Sequence, residues 1–229
     1  MKYEHFHTTH WTAILAARED RGSLMSLCET YYMPIKRFIE RNVQRDQFGR
    51  YGVSDADDLT HDFISKLLAG GMFEHLRRDH GRFRSYLLGA VVHFLDHVRE
   101  KESAFKRGNN ATFSSCELSD IPVLDDPVFD RDWASAIISE ATNRLKNEEP
   151  NAEVFLPLLT VEMSKERRHE IAQRIGASEI AVKVALHRLR KRFRQLVREQ
   201  IASTLDGVTP DGDETTAELD YLIQVLAQE

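Results

Sequence analysis

The chain has 229 residues, of which 41% are hydrophobic and 30% are charged, and its formal net charge is −6. This length suits one large domain or two small ones, and no stretch approaches the roughly 20 apolar residues that a membrane-spanning helix needs. The two cysteines lie far apart and form no CxxC pair, which fits a reducing compartment and argues against a structural zinc site. The first twenty residues lack the basic start and apolar core of a signal peptide, so we expect a cytoplasmic protein with no membrane partner.

The first hundred residues are expected to form helices, because their apolar side chains recur at helical spacing and long alternating runs are absent. The sequence predicts a first helix through Trp11 and a second over residues 23–43, which Pro34 is expected to kink or break. Ser54 is expected to cap a third helix, whose first turn carries acidic residues. A fourth helix, rich in Leu, Val and Phe, is expected over residues 83–104.

A polar segment over residues 109–132 interrupts this pattern, with two prolines, six acidic residues and no helical period, and it predicts a linker. A second helical block is expected from about Trp133 to Leu205, followed by an acidic extension over residues 206–229. The extension is expected to contain an amphipathic helix with four apolar residues on one face: Leu219, Leu222, Ile223 and Leu226. The predicted fold is all-α, with two helical domains (residues 1–108 and 133–205) joined by the acidic linker, the second containing a helix-turn-helix, plus the C-terminal amphipathic helix.

The net charge hides an asymmetry along the chain. Residues 165–198 contain eleven Lys or Arg and three acidic residues, whereas residues 201–229 contain seven acidic residues and no Lys or Arg. A basic block next to an acidic extension indicates a nucleic-acid surface with something acidic near it. Two interpretations of the extension stay open: a helix that folds back and restrains DNA binding, or a solubilising or disordered tail.

The segment HEIAQRIGASEIAVKVALHRLR, residues 169–190, has the pattern of a helix-turn-helix. Its first helix has a short apolar face, Gly176 can adopt the positive φ of a sharp turn, and Ser178 can cap the second helix. In the second helix, residues spaced by three and four predict one apolar seam: Val182, Leu186, Leu189, Phe193 and Leu196. The opposite face is expected to carry Ile180, Lys183, Val184, His187, Arg188 and Lys191.

Such a helix is either a solvated surface helix or one that enters the major groove of DNA. Two observations favour DNA binding over RNA binding or an enzyme. Apart from Lys183, which follows Glu179 by four residues, the cations of this helix lack acidic partners at i,i+4, which a purely structural helix normally has. The Gly-x-Ser turn also precedes the basic helix at the spacing of a helix-turn-helix. Early side chains would then meet base edges, and later cations would meet phosphates.

The segment GASEIAVKVALHRLRKRFRQLVREQI resembles the second DNA-binding domain of bacterial RNA polymerase sigma factors of the extracytoplasmic-function (ECF) type. DADDLTHDFISKLL resembles the helix that such factors dock on the polymerase clamp. GRFRSYLLGAVVHFLDHVREKESAFKRG resembles the following segment, which melts and reads the downstream promoter element. FHTTHWTAILAAR resembles the N-terminus of a subgroup known mainly from planctomycetes and related bacteria, so the resemblance runs from Phe6 to about Ser203 in family order.

The resemblance assigns roles to individual residues in the first half of the chain. It implies that core polymerase binds Asp57, Asp58, Asp62, Phe63 and Leu67. An alternative is that the acids merely favour the helix N-terminus and that Phe63 lies in the core. It also implies that the following segment binds the melted downstream element through Arg77, Arg78, Arg82, Arg84, Tyr86, His93, Arg99 and Lys101. Tyr86 stands where the family usually has Trp, and His93 where many members have Asn.

For the second half, the resemblance implies that the upstream promoter element is read by Ser178, Glu179, Lys183, His187, Arg188 and Lys191. The expected function is that of an ECF-type sigma factor, which binds core RNA polymerase at its clamp and flap regions and directs promoter recognition and transcription initiation. The expected partners are core polymerase and promoter DNA, with an anti-sigma factor or a regulatory kinase as candidate regulators. We expect no catalysis, no metal and no other cofactor, since no nucleophile–base pair, phosphate loop or dinucleotide fingerprint is present.

Two other functions remain as alternatives. One is a helix-turn-helix transcriptional regulator that acts without docking on polymerase. The other is a phosphohydrolase of the HD type, because the pairs His61–Asp62 and His93–His97 resemble metal-ligand pairs. Ten histidines make chance pairs common, and the flanking residues do not fit that pattern.

Overall fold

A computed structural model describes residues 21–46, 51, 55–68, 83–106, 124–205 and 209–227 of the chain. These residues form eight α-helices and one 3-10 turn and contain no β-strand, so the predicted all-α class is confirmed. The helix predicted through Trp11 lies outside the described residues. The elements are α1 (Arg21–Gln44), α2 (Ala56–Leu68), α3 (Phe83–Lys106), α4 (Pro127–Glu148), α5 (Ala152–Phe155), the 3-10 turn Leu156–Leu158, α6 (Lys165–Ile175), α7 (Glu179–Ser203) and α8 (Asp213–Ala227).

Helix α1 runs through Pro34 as one helix, so of the expected kink or break the break does not occur. A proline removes one helical hydrogen bond, which tertiary packing can offset when the surrounding residues are buried. Ile35 and Ile39, just beyond the proline, are fully buried, and α1 packs against α2, α3, α4 and α7. The helix is therefore maintained by its neighbours rather than by its own sequence.

Helix α2 begins next to an acidic cap. Asp55 accepts a hydrogen bond from the backbone N–H of Asp58 at 2.8 Å, which is the geometry of an N-cap. Ser54, the residue predicted for this role, lies outside the described residues. Leu59, Phe63 and Leu67, which are spaced by four residues, are all buried.

Helix α4 begins at Pro127, six residues before the predicted start at Trp133. The carboxylate of Asp126 accepts hydrogen bonds from the backbone N–H groups of Val128 and Phe129 at 2.7 and 3.2 Å, and Pro127 occupies the first turn. Asp-Pro is a strong helix-start signal, but the acids and prolines around it resemble a linker in composition. The last six residues of the predicted linker are therefore helical, which corrects that boundary.

Helix α4 is the centre of the structure, with contacts to α1, α7 and α8. The ring of Phe38 on α1 meets that of Phe129 on α4 edge to face, with 6.1 Å between centroids. Arg41 on α1 reaches Asp132 on α4, with 2.6 Å between its Nη1 and the carboxylate. The buried apolar residues form one cluster that includes side chains from all eight helices, so the helices before and after residues 109–123 share a core.

The C-terminal helix α8 folds back and packs against α4 and α7. Its buried residues are Thr215, Leu222 and Val225, whereas Ile223 and Leu226 of the predicted apolar face are exposed. The buried side is turned by roughly 70° from the predicted one at 3.6 residues per turn. The reason is that Glu218 and Tyr221 contact Arg84, a buried residue on α3. No pattern in the sequence around α8 indicates this contact.

Candidate nucleic-acid interface

A glycine turn joins α6 to α7. Gly176 has φ 66° and ψ 34°, a left-handed conformation that glycine adopts without strain. The backbone N–H of Ala177 donates to the carbonyl of Ala172 at 2.9 Å, and the hydroxyl of Ser178 accepts from the N–H of Ala181 at 3.2 Å. The predicted turn and the predicted cap are thus both observed, and together they fix where α7 begins.

One side of α7 is buried as the apolar spacing predicts. Val182, Leu186, Leu189 and Leu196 are buried, and Phe193 is half-buried. This seam packs α7 against α4 and α6. Because the seam fixes the rotation of the helix, it also fixes which side chains face outward.

The outward side of α7 is the candidate interface. We call it the cationic face, and its residues are Ile180, Lys183, Val184, His187, Arg188, Lys191 and Arg194. All seven are exposed. Within the part of the chain that the structure describes, its four Lys and Arg side chains form no ion pair with an acid. Arg194, which the sequence did not single out, lies on this face one turn after Lys191.

Other cations of the same basic run hold the fold together. Arg190 donates to the backbone carbonyls of Leu158 and Val161 at 2.7 and 2.5 Å. Arg198 donates to the carbonyl of Pro210 and the hydroxyl of Thr216, both at 3.1 Å. Their basic groups are therefore engaged in linking α7 to the segment after α5 and to α8.

Arg192 forms a third structural contact, with two glutamates. Its Nε lies 2.6 Å from Glu148 on α4, and its Nη1 lies 3.0 Å from Glu199 on α7. The hydrogen bond from Arg192 is the main cause of a lowered pKa at Glu148. At Glu199, burial raises the pKa, but the hydrogen bonds from Arg192 and Arg144 lower it by more than burial raises it, so the net shift is downward. The ion pairs keep both carboxylates charged and join α4 to α7.

Ser178 and Glu179, both predicted to contact DNA, have structural contacts. The Ser178 hydroxyl caps α7. A carboxylate oxygen of Glu179 lies 3.1 Å from Nδ1 of His169, whose Nε2 lies 2.9 Å from the side-chain amide nitrogen of Gln173. These residues join α6 to α7 across the turn.

The residues predicted to bind polymerase lie on α2 and divide into two groups. Asp57 pairs with Lys36 at 2.5 Å and Asp62 with Lys66 at 2.9 Å, and all three acids at positions 57, 58 and 62 are exposed. Phe63 and Leu67 are buried, and the Phe63 ring lies 5.5 Å from that of Phe94. The prediction of a docking role for these two side chains is corrected, because they form part of the core and are not at the surface.

The residues predicted to bind the downstream element lie mostly on α3. Arg77, Arg78 and Arg82 lie outside the described residues. Tyr86 is buried, which raises its pKa to about 12, and His93 is half-buried. Arg99 pairs with Asp96 at 2.7 Å and lies over the ring of Tyr51 at 4.9 Å, whereas Lys101 is exposed. The prediction for Tyr86 is corrected, since its ring is enclosed in the core and cannot stack on a base.

Arg84 departs furthest from its predicted role. We call its surroundings the Arg84 cluster, which consists of Arg84, Asp130, Trp133, Glu218 and Tyr221. The side chain is 4% exposed, with Nη1 2.6 Å from Glu218 and Nε 3.0 Å from Asp130. Its guanidinium lies 4.4 Å from the Trp133 ring centroid and 4.5 Å from that of Tyr221, whose hydroxyl donates to Asp130. The predicted contact with single-strand phosphates is therefore corrected, because this guanidinium is enclosed between α3, α4 and α8.

The carboxylates keep the buried guanidinium charged. Burial lowers the pKa of Arg84, but Glu218 and Asp130 raise it more, and the net shift is upward. Both acids are far away in sequence, and their pairing with Arg84 has no local signature. Arg84 therefore links three helices inside the fold and does not form the predicted contact at the surface.

The two histidine pairs that resemble metal ligands lie on different helices, α2 and α3. The Nε2 of His61 lies 3.2 Å from the Tyr32 hydroxyl, and Asp62 is paired with Lys66. Among the described residues, no three His, Cys, Asp or Glu side chains are grouped so that they could hold a metal ion. In the same part of the chain, every helix is too short or too polar to cross a membrane.

No protein-family model, curated protein or solved structure matches this chain.

Proposed function

We propose that this chain is an ECF-type sigma factor, which binds core RNA polymerase and directs promoter recognition and transcription initiation. The observation that carries the DNA-binding part of the proposal is the cationic face, whose Lys and Arg side chains have no acidic partner among the described residues. The sigma assignment rests on the order of four segments that resemble this family, from Phe6 to about Ser203.

The arrangement of α6 and α7 supports binding to a DNA duplex. In a helix-turn-helix, the second helix enters the major groove, where its N-terminal side chains meet base edges. Helix α7 starts at a capped turn and exposes Ile180, Lys183 and Val184 in its first two turns. Arg188, Lys191 and Arg194 follow at positions suited to phosphates, which contribute affinity but little sequence preference.

Contacts between cations and phosphates make DNA binding depend on the salt concentration. Each phosphate neutralised on a duplex contributes about −0.9 to the slope of log K against log salt concentration. The four Lys and Arg side chains of the cationic face therefore predict a slope of about −3 to −4 for α7 alone. Removing one cation of this face should make the slope less negative, and Lys146→Gln is the matched control, because it removes an exposed charge on α4, outside the cationic face.

Polymerase docking is proposed for the exposed acids of α2. Asp58 is exposed and its carboxylate has no partner among the described residues, and Asp62 is exposed beside Lys66. In this proposal residues 1–108 dock on polymerase and handle the downstream element, and residues 133–205 bind the upstream element. The proposed contacts on polymerase are its clamp and flap regions, and the proposed site of action is the cytoplasm.

One observation favours a second candidate function, a helix-turn-helix regulator that never docks on polymerase. Phe63 and Leu67, the apolar part of the expected docking surface, are buried in the core. Only the acids of α2 would then remain for polymerase, and acids at the start of a helix also stabilise the helix itself.

In vitro transcription with core polymerase, with and without this chain, tests the proposal, and sequencing of the initiated templates identifies the promoters. We expect initiation only in the presence of the chain. Asp58→Lys is expected to weaken capture of core polymerase, whereas Glu153→Lys, an exposed acid on α5, is the matched control. If DNA binding is retained while polymerase capture and transcription are absent, the regulator is the correct function.

A further inference from the structure

Two apolar side chains stand out on the cationic face. Ile180 is 77% exposed and Val184 is 45% exposed, although the large apolar residues on the opposite side of α7 are buried. They lie one turn apart at the start of the helix, so roughly 6 Å separates them along its axis at 1.5 Å per residue. Neither contributes to the core, and both remain uncovered by α8, which packs on the other end of α7 through Arg198.

We propose that Ile180 and Val184 are specificity-determining residues that contact the C5-methyl groups of thymines in the major groove. This inference rests on the proposed DNA-binding function and deepens it. The thymine methyl is the one apolar group that a base pair presents in the major groove, and apolar side chains are suited to bind it. Because about 3.4 Å separates successive base pairs, the spacing of the two residues predicts two thymines about two base pairs apart.

The charges around the pair favour DNA over an apolar protein partner. Lys183 lies between the two residues in sequence, and Arg188 and Lys191 follow on the same face. Glu179, the acid at the start of α7, is engaged by His169 across the turn. The pair is thus surrounded by cations that have no acidic partner among the described residues, and these cations match the phosphates on either side of a major groove.

The size of the expected effect follows from the apolar area that is buried. Removing one buried methyl group weakens binding by about fourfold. Neither side chain can donate or accept a hydrogen bond, so both discriminate by the methyl group alone. Deoxyuridine, which differs from thymidine only by that methyl, is therefore the appropriate probe.

The experiment uses the full chain, alone and bound to core polymerase, and selects duplexes from a randomised library. Each thymine of the selected site is then replaced by deoxyuridine. We expect two positions, about two base pairs apart, where the replacement weakens binding about fourfold. In Ile180→Ala or Val184→Ala, one of the two positions is expected to become insensitive to the replacement, because the methyl has lost its partner.

Ile223→Ala is the matched control, since Ile223 is an exposed apolar residue on α8 and should leave both positions sensitive. The inference is overturned if the chain binds a selected duplex with the expected salt dependence and every deoxyuridine replacement is neutral. It is also overturned if both alanine variants keep the wild-type pattern, in which case the pair faces a protein. Failure to bind any duplex, alone or with polymerase, refutes the proposed function as well, so the two failures are distinguishable.

Discussion

The Arg84 cluster predicts a large loss of stability on substitution of its arginine. Arg84→Met keeps an unbranched side chain but removes the guanidinium and with it the charge that Asp130 and Glu218 share. Both carboxylates are largely enclosed, at 10% and 14% exposed, and the substitution leaves each without its cation. Removing one partner of a buried ion pair costs about 3–5 kcal/mol, because an uncompensated charge remains. We expect a decrease of this size in the free energy of unfolding.

Glu218→Gln is a smaller perturbation of the same cluster. Arg84 keeps Asp130 and both aromatic rings, and the amide oxygen of glutamine can still accept the hydrogen bond. A charge-assisted hydrogen bond is about twice as strong as a neutral one, so the expected cost is roughly 1–2 kcal/mol. Asp220→Asn is the matched control, because Asp220 is an exposed acid on the same helix and its loss should change stability by less than about 0.5 kcal/mol.

Urea unfolding followed by circular dichroism measures these differences. The double variant Arg84→Met, Glu218→Gln should be less unstable than the sum of the two single variants, since it removes one of the stranded carboxylates. An Arg84→Met protein within 0.5 kcal/mol of the wild type, or strictly additive single effects, would refute this account of the cluster.

Three further predictions concern α7 and its neighbours. Lys191→Gln is expected to make the slope of log K for duplex binding less negative by about 1, measured by fluorescence anisotropy at several salt concentrations; an unchanged slope means that Lys191 meets no phosphate. Gly176→Ala is expected to destabilise the fold by about 1–2 kcal/mol in urea unfolding, because a Cβ strains the left-handed conformation even though it would contact no described residue beyond its neighbours in the chain. Arg192→Gln removes the cation that lowers the pKa of Glu148 and Glu199, so its destabilisation should be largest at neutral pH. The difference in stability between wild type and variant should shrink as the pH falls below about 4.5 and through the lowered pKa values, because the protonated acids no longer form ion pairs with the arginine. A difference that does not depend on pH would contradict this account.

The parts of the fold that follow from local chemistry were predictable from sequence. Gly176 and Ser178 fix the turn before α7, and the three–four spacing of apolar residues fixes which face of α7 is exposed. The start of α4 was missed although its signal is local, since Asp126 and Pro127 lie within a run of linker-like composition. A cap signal is thus more informative about a helix start than the average composition around it.

Contacts between residues far apart in the sequence explain why the positions of Arg84 and α8 differ from the prediction. Arg84 was expected at the surface because the family resemblance implies that it binds the melted downstream element, but its partners in the fold lie 46 and 134 residues away. The same contact rotates α8 away from its predicted apolar face, because Glu218 and Tyr221 turn toward the guanidinium. Counting charges along the sequence also overestimates how many cations are available to bind DNA. Arg190, Arg192 and Arg198 belong to the basic run but are bound to partners within the fold.

The position of α8 bears on both interpretations of the acidic extension. Thr215 and Leu222 are buried between α8 and its neighbours, so this helix is part of the core rather than a solubilising tail. It also leaves the cationic face exposed, and its contact with α7 lies at Arg198, about 27 Å along the helix from Ile180 at 1.5 Å per residue. Truncation after Ser203 should therefore increase protease sensitivity while leaving the salt dependence of DNA binding unchanged.

Leu222→Ala provides a second arm of that experiment for the case in which the truncated chain fails to fold. It should cost about 2–5 kcal/mol of stability, as large-to-small changes at buried leucines do, and should leave DNA affinity unchanged in the folded protein. Tighter DNA binding by either variant, measured where circular dichroism shows a folded protein, would mean that α8 restrains the cationic face from a distance. Since α8 contacts both Arg84 on α3 and Arg198 on α7, such a restraint would have to act through these contacts rather than by covering the DNA-binding residues.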